Sequence, residues 1–89
     1  MDFQAQYRTN PRRVVFEFVA DAEMHMGAVT LDALAGLSGA EVIGEEQAIA
    51  AYQRWWRHIH AAALGLRARG HRSPFVQRED VGPQGRQSR

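Results

Sequence analysis

The chain has 89 residues, no cysteine and a formal net charge of +1, and its 45% hydrophobic and 24% charged residues are ordinary for a globular protein. This length predicts one domain with one modest core, and the lack of cysteine excludes disulfides, thiolate nucleophiles, iron–sulfur clusters and cysteine zinc sites. No apolar run approaches the roughly 20 residues of a membrane helix, and the first residues lack the pattern of a secretory signal, so we expect a cytoplasmic protein.

The N-terminal third predicts strands. Residues 3–7 (FQAQY) alternate apolar and polar side chains, which indicates a short strand with one buried face, and residues 9–12 contain an Asn-Pro turn. Residues 13–20 (RVVFEFVA) are rich in β-branched and aromatic side chains and predict the best strand of the chain. Residues 21–23 reverse the chain, and residues 24–29 return as the second strand of a hairpin. The side chains expected to cover the core are Val14, Phe16 and Phe18.

A short helix is predicted next. Thr30 is a good N-cap, and Asp32 lies in the first turn, where a negative charge meets the positive end of the helix dipole. The apolar stripe of this helix consists of Leu31, Leu34 and Leu37. A Ser-Gly pair ends the helix, and the linker of residues 40–44 follows, with Val42 and Ile43 expected to tuck inward.

One long amphipathic helix over residues 45–69 dominates the prediction. Acidic residues open it, arginines close it and Gly70 takes the usual C′ position. Its apolar stripe consists of Ile49, Tyr52, Trp56, Ile59, Ala63 and Leu66, and its wet side of Gln47, Arg54, His58, Ala61 and Gly65. We expect a continuous rod about 36 Å long, longer than a small sheet needs, so part of it can pair with another molecule.

Residues 74–78 predict a final short strand, and residues 82–89 (GPQGRQSR) have the composition of a disordered tail. The predicted fold is a two-layer α+β domain over residues 1–81. A small antiparallel sheet of three or four strands, in the element order β-β-β-α-α-β, packs on one short and one long helix. The order of the strands within the sheet is not predicted.

Several of these segments together resemble a known family. They are the strand VVFEF (14–18) with its acidic turn, the capped helix start VTLDAL (29–34), AYQR (51–54) near the start of the long helix, ARG (68–70) at its end, and a closing strand running into Glu79-Asp80. The pattern is similar to the bacterial domain-of-unknown-function family 1488, whose members are small stand-alone α+β proteins. The resemblance covers about residues 1–81 and implies a fold and a bacterial source, but no activity, cofactor or catalytic residue.

The histidines do not predict a metal site. The chain contains His25, His58, His60 and His71. His58 and His60 are two positions apart on a helix and point roughly 160° apart, so they cannot chelate one ion together. We expect His58 to be solvated and His60 to border the core with one ring nitrogen hydrogen-bonded.

No motif of catalysis or of cofactor binding is present in the sequence. It lacks the nucleophile elbow, the Ser-x-x-Lys motif, the P-loop and the dinucleotide fingerprint. We therefore expect neither an enzyme nor a cofactor.

The leading hypothesis is a non-enzymatic interaction module, an accessory or regulatory protein that binds a partner protein or a second copy of itself through the long helix. We expect Trp56 to be buried, and Trp55 either to cover the sheet margin or to anchor a partner, because tryptophan and arginine are enriched at interface hot spots. The possible interface residues are Trp55, Tyr52, Arg54 and Leu66.

The alternative hypothesis is a nucleic-acid-binding accessory protein. Residues 1–65 contain five Arg against eight Asp or Glu, whereas residues 66–89 contain six Arg against two acidic residues. Clustered arginines suit contacts with nucleic-acid phosphates. The possible contacts are Arg67, Arg69, Arg72 and Arg78, with the arginines of the tail.

Overall fold

The computed structural model describes residues 5–81, and these residues form an α+β fold of two layers, as predicted. The strands are β1 (Ala5–Arg8), β2 (Arg13–Ala20), β3 (Glu23–Thr30) and β4 (Phe75–Val76), and the helices are α1 (Leu31–Ser38), α2 (Glu45–Ala68) and α3 (Arg78–Val81). The helices pack on one face of the sheet, where a single hydrophobic core lies. The predicted start of the first strand at Phe3 and the predicted disordered tail of residues 82–89 lie outside the described part of the chain.

The sheet has the strand order β1-β2-β3-β4. The first three strands form an antiparallel meander, and a two-residue turn with positive φ at Asp21 (54°) and Ala22 (64°) joins β2 to β3. β4 instead runs parallel to β3, with Ala28 beside Phe75 and Val29 beside Val76. The prediction of a wholly antiparallel sheet is therefore wrong, because the two intervening helices carry the chain back to the end of the sheet from which β3 starts.

The core forms between alternate residues of β2 and the apolar side of α2. Val14, Phe16 and Phe18 are fully buried, which confirms the predicted face. The Phe16 ring stacks on the ring of Tyr52, with centroids 5.4 Å apart. Ile59 is also fully buried, so the sheet and the long helix share one continuous apolar interior.

The capping residues of α1 lie where they are predicted. The Ala33 N–H donates to Thr30 Oγ1 at 3.0 Å, and Gly39, with φ of 70°, donates its N–H to the Ala35 carbonyl. In the following linker Val42 packs against the core, but Ile43 is 58% exposed, so the inward placement of Ile43 is wrong. The Ile43 N–H donates to Gln47 Oε1 at the start of α2, and this contact holds the Ile43 backbone with its side chain outward.

Helix α2 is bent. It spans the predicted range to within one residue, but Trp55 has non-helical angles (φ −113°, ψ 17°), so the expectation of a straight continuous rod is wrong at that position. Neither Pro nor Gly, the residues that usually indicate a helix kink, lies near the bend in the sequence. The apolar side still faces the sheet on both sides of the bend. The predicted wet side, Gln47, Arg54, His58, Ala61 and Gly65, is exposed as expected.

The C-terminal strand is shorter than predicted. Only Phe75 and Val76 pair with β3, and Arg78 begins the short helix α3 instead of ending a strand. Asp80 Oδ2 accepts a hydrogen bond from the Gln77 N–H at 2.9 Å. Gln77 is the residue before α3, and Asp80 follows it by three positions. An acidic side chain at this spacing that accepts from the N-cap N–H stabilises the start of a helix, and the strand therefore ends at Val76.

Candidate functional site

Within residues 5–81, two groups have shifted pKa values, and they form a buried pair on α2. The Tyr52 hydroxyl and His60 Nε2 are hydrogen-bonded at 2.7 Å, and the His60 ring stacks on Phe16 with centroids 4.9 Å apart. Burial lowers the pKa of His60 to about 4 and raises the pKa of Tyr52, so both side chains are neutral near pH 7. His60 is only 8% exposed, and its predicted position at the core with one nitrogen hydrogen-bonded is confirmed.

The described residues carry neither a metal-binding cluster nor a membrane-spanning helix. His58 is exposed while His60 is buried, so the two rings face different surroundings. Within residues 5–81, no three His, Asp or Glu side chains are grouped so that they could hold one ion. No helix in the same range combines the length and apolarity needed to cross a bilayer.

The predicted interface residues of α2 do not form one exposed patch. Tyr52 is fully buried and Leu66 is 5% exposed, so neither offers its side chain to a partner, because both pack into the core. Trp56 is half-buried instead of buried. Trp55 packs at the margin of the core, and its indole Nε1 is buried without a hydrogen-bond partner among the described residues. Contact with a partner through Trp55 and Arg54 stays a prediction.

The structure separates the four arginines of the predicted nucleic-acid contact. Arg67 and Arg72 line one shallow depression of about 400 Å³ at the end of α2, and Arg69 is exposed nearby on the helix end. Arg78 lies elsewhere, because its Nη1 forms an ion pair with Asp32 Oδ1 of α1 at 2.9 Å. Arg78 therefore does not belong to the same surface as the other three.

A surface that the sequence analysis did not single out lies on the sheet. We define the outer face as the sheet face opposite the helices. Its apolar side chains are Val15, Val19, Met24, Met26, Ala28 and Phe75. Among the described residues six large hydrophobic side chains are exposed, and four of them, Val19, Met24, Met26 and Phe75, lie on this face.

The strand register arranges the outer face in rows. Val15 lies beside Ala28 and Ala28 beside Phe75, so three strands contribute to one apolar row. Val19 lies beside Met24 in a second apolar row, and Glu17 beside Met26 between them. A shallow depression of about 450 Å³ opens over the first row and is lined mostly by apolar side chains. This arrangement suits contact with another apolar surface better than chemistry on a small molecule.

The sequence contains a signal for the outer face. In residues 13–20 both alternate sets are apolar except for Arg13 and Glu17, whereas a sheet with one wet face normally places polar residues on that side. The methionines of β3 repeat the signal, because they alternate with the core-facing residues. The sequence predicts the hairpin but not its register or its pairing with β4, and both are needed to join these side chains into one surface.

The chain matches no family model, and comparisons with curated proteins and with solved structures found no match. The resemblance to the domain-of-unknown-function family 1488 therefore stays a prediction.

Proposed function

We propose that this protein is a non-enzymatic interaction module that pairs with a second copy of itself through the outer face. The observation that carries the proposal is the concentration of exposed large hydrophobic side chains on this one face. Single exposed hydrophobic residues need no explanation, but a contiguous apolar patch is typical of an interaction site.

Covering the outer face is energetically favourable. Val19, Met24 and Met26 are each about half exposed, at 48%, 55% and 49%. Full burial of such a side chain contributes about 1.5–3 kcal/mol, so removing the remaining half from water contributes about 1 kcal/mol for each. Because both copies bury the same residues, the gain from the apolar rows is counted twice in a symmetric pair.

Three charged side chains lie on the outer face, Arg8 of β1 with Arg13 and Glu17 of β2, and the two of β2 can pair across a symmetric interface. Arg13, Val15 and Glu17 follow each other at alternate positions of β2 and lie on this face. A twofold axis that crosses β2 at Val15 sets Arg13 of one copy opposite Glu17 of the partner subunit, and the reverse pair forms by symmetry. This complementarity favours a second copy over an unrelated apolar surface as the occupant.

The substitution Met26→Lys tests the proposal. We expect the wild-type protein to have twice the 10.0 kDa mass of one chain in solution, measured by light scattering during size-exclusion chromatography. Met26→Lys places a charge in the middle of the outer face and should give the single-chain mass. A wild-type protein that stays at the mass of one chain at all concentrations contradicts the proposal.

Two further variants control the experiment. Ile43→Lys makes the same change at an exposed hydrophobic residue of the linker, away from the outer face, and should leave the mass unchanged. Glu17→Arg should weaken pairing by placing like charges together, and the added change Arg13→Glu should restore it. Dissociation by Ile43→Lys as well would show that the loss is not specific to the outer face.

A further inference from the structure

The exposed side of α2 has a one-sided charge. Residues 47–78 contain six arginines and no acidic residue, although the whole chain is nearly neutral. The acidic residues of the described chain lie on the sheet, the hairpin turn, α1, the linker, the first turn of α2 and α3. The two signs of charge are thus separated on the surface, and most of α2 faces solvent with positive charge only.

We define the basic face as Arg54 and Arg57 on the exposed side of α2 with Arg67, Arg69 and Arg72 at its C-terminal end. Arg54 and Arg57 are exposed on either side of the bend at Trp55, and Arg69 is exposed directly after the last residue of α2. Between Arg57 and Arg69 the helix exposes His58 and the small residues Ala61 and Gly65. The depression at the helix end is lined by Leu64 and Ala68 of α2 together with Arg67 and Arg72, so the surface extends past the last turn of the helix. Asp21 is the acidic residue at the edge of this depression.

Two arginines of the basic face are held in place by tryptophans. Arg54 Cζ lies 5.6 Å from the centroid of the Trp55 ring, and Arg57 Cζ lies 5.1 Å from that of Trp56. None of the five arginines forms an ion pair with a carboxylate of residues 5–81. The guanidinium groups of Arg54 and Arg57 are therefore partly ordered, which lowers the side-chain entropy cost of binding an anion there, and binding at any of the five arginines breaks no ion pair within residues 5–81.

We propose that the basic face binds the phosphate backbone of nucleic acid without reading the bases. Guanidinium groups match phosphate geometry with paired hydrogen bonds. From Arg54 to Arg69 the face extends about 22 Å along the helix path, so it meets a ligand whose negative charges repeat over such a length. This inference goes beyond the proposed pairing and does not depend on it, because the outer face lies on the other side of the sheet.

A membrane surface or a protein partner fits the basic face less well. A helix that lies on a membrane inserts an apolar face, but the apolar side of α2 is buried against the sheet. A protein interface has an apolar centre with few charges, whereas the centre of the basic face is flanked by arginines and carries small residues. A polymer of phosphates needs only the charges and room for close approach.

Fluorescence anisotropy with a labelled mixed-sequence DNA duplex, about two helical turns long, tests the inference. We expect binding near 50 mM salt and an affinity that falls roughly several-hundred-fold by about 200 mM, as five phosphate contacts require. The double variant Arg54→Gln with Arg69→Gln should weaken binding at least about tenfold and reduce the salt slope by about 2. A scrambled duplex and an RNA duplex should bind within about threefold of the first probe, since the bases are not read.

The control variant removes the same two charges elsewhere. Arg8 and Arg12 are exposed outside α2, so Arg8→Gln with Arg12→Gln should bind the duplex within about twofold of wild type. Circular dichroism verifies that both doubles are folded. The inference is overturned by no binding near 50 mM salt, by equal losses in the two doubles, or by binding to phosphatidylserine vesicles in the absence of duplex binding.

Discussion

At the scale of single residues, the buried His60 should have a measurable effect on the stability of the protein. His60 stacks on Phe16 and is hydrogen-bonded to the Tyr52 hydroxyl, and only 8% of the residue is exposed. Burial therefore favours the neutral form and lowers the pKa of His60 from 6.5 to about 4. The unfolded chain, in contrast, exposes this ring to water and binds its proton near the ordinary pKa.

Stability should therefore depend on pH through His60. As the pH falls below about 6.5, the unfolded chain binds a proton at His60, whereas the folded chain binds it only near pH 4. The free energy of unfolding therefore decreases through this window, and the contribution of neutral His60 to stability is fully present above it. We expect a loss of about 2 kcal/mol between pH 7.5 and pH 5, measured by urea denaturation.

Two glutamine variants separate this histidine from the others. His60→Gln should remove most of the loss, whereas His58→Gln, at an exposed ring on the same helix, should keep it. A wild-type free energy of unfolding that does not change across this pH range would contradict the assignment.

At the scale of the elements, the hairpin between β2 and β3 contains a residue in an unfavourable conformation. The two turn residues Asp21 and Ala22 both have positive φ, the geometry that matches the twist of the strands and that favours glycine at the second position. Alanine in the left-handed region costs roughly 1–2 kcal/mol because its Cβ approaches the backbone. The register of the hairpin is maintained although this residue does not suit the turn.

Substituting Ala22→Gly should stabilise the protein. We expect the free energy of unfolding to rise by about 0.5–1 kcal/mol, because glycine adopts positive φ without strain but loses more backbone entropy on folding. The same substitution at the exposed helical residue Ala61 should lower it by about 1 kcal/mol. Thermal or urea denaturation measures both variants, and destabilisation by Ala22→Gly would show that the turn does not adopt this conformation in solution.

Most of the elements could be predicted from the sequence, because their signals are local. Alternation in residues 13–20 identifies the core face of β2, Thr30 and Gly39 mark the ends of α1, and the spacing of apolar residues identifies the buried side of α2. The parallel pairing of β4 could not be predicted, since it depends on contacts between distant segments. The bend at Trp55 could not be predicted either, since neither Pro nor Gly marks it in the sequence.

The candidate surfaces were predictable only in part. Periodicity assigned Tyr52 and Leu66 to the apolar side of α2 but could not show that the sheet covers them completely. The charge asymmetry of the C-terminal third indicated an arginine surface, yet the contact between Arg78 and Asp32 joins residues 46 positions apart and removes one member from it. The outer face needs the register of three strands before its apolar rows become visible.

At the scale of the whole molecule, self-association should couple to folding. A pair formed only by folded chains stabilises them by mass action, so stability depends on protein concentration. We expect the Tm of the wild-type protein to rise by a few degrees for each tenfold increase in concentration, measured by calorimetry. The Tm of the Met26→Lys variant should not change with concentration, and an equally constant wild-type Tm would argue against pairing.

The one-sided placement of the helices has a consequence for how such a pair would act on a polymer. Two copies joined through their sheets form four layers, with a helix layer on each outside surface. The two positively charged sides then point away from each other, so both cannot grip the same stretch of a straight duplex. Such a pair would bridge two separate duplexes, or two distant parts of one duplex. It would compact the nucleic acid instead of binding along a single stretch of duplex.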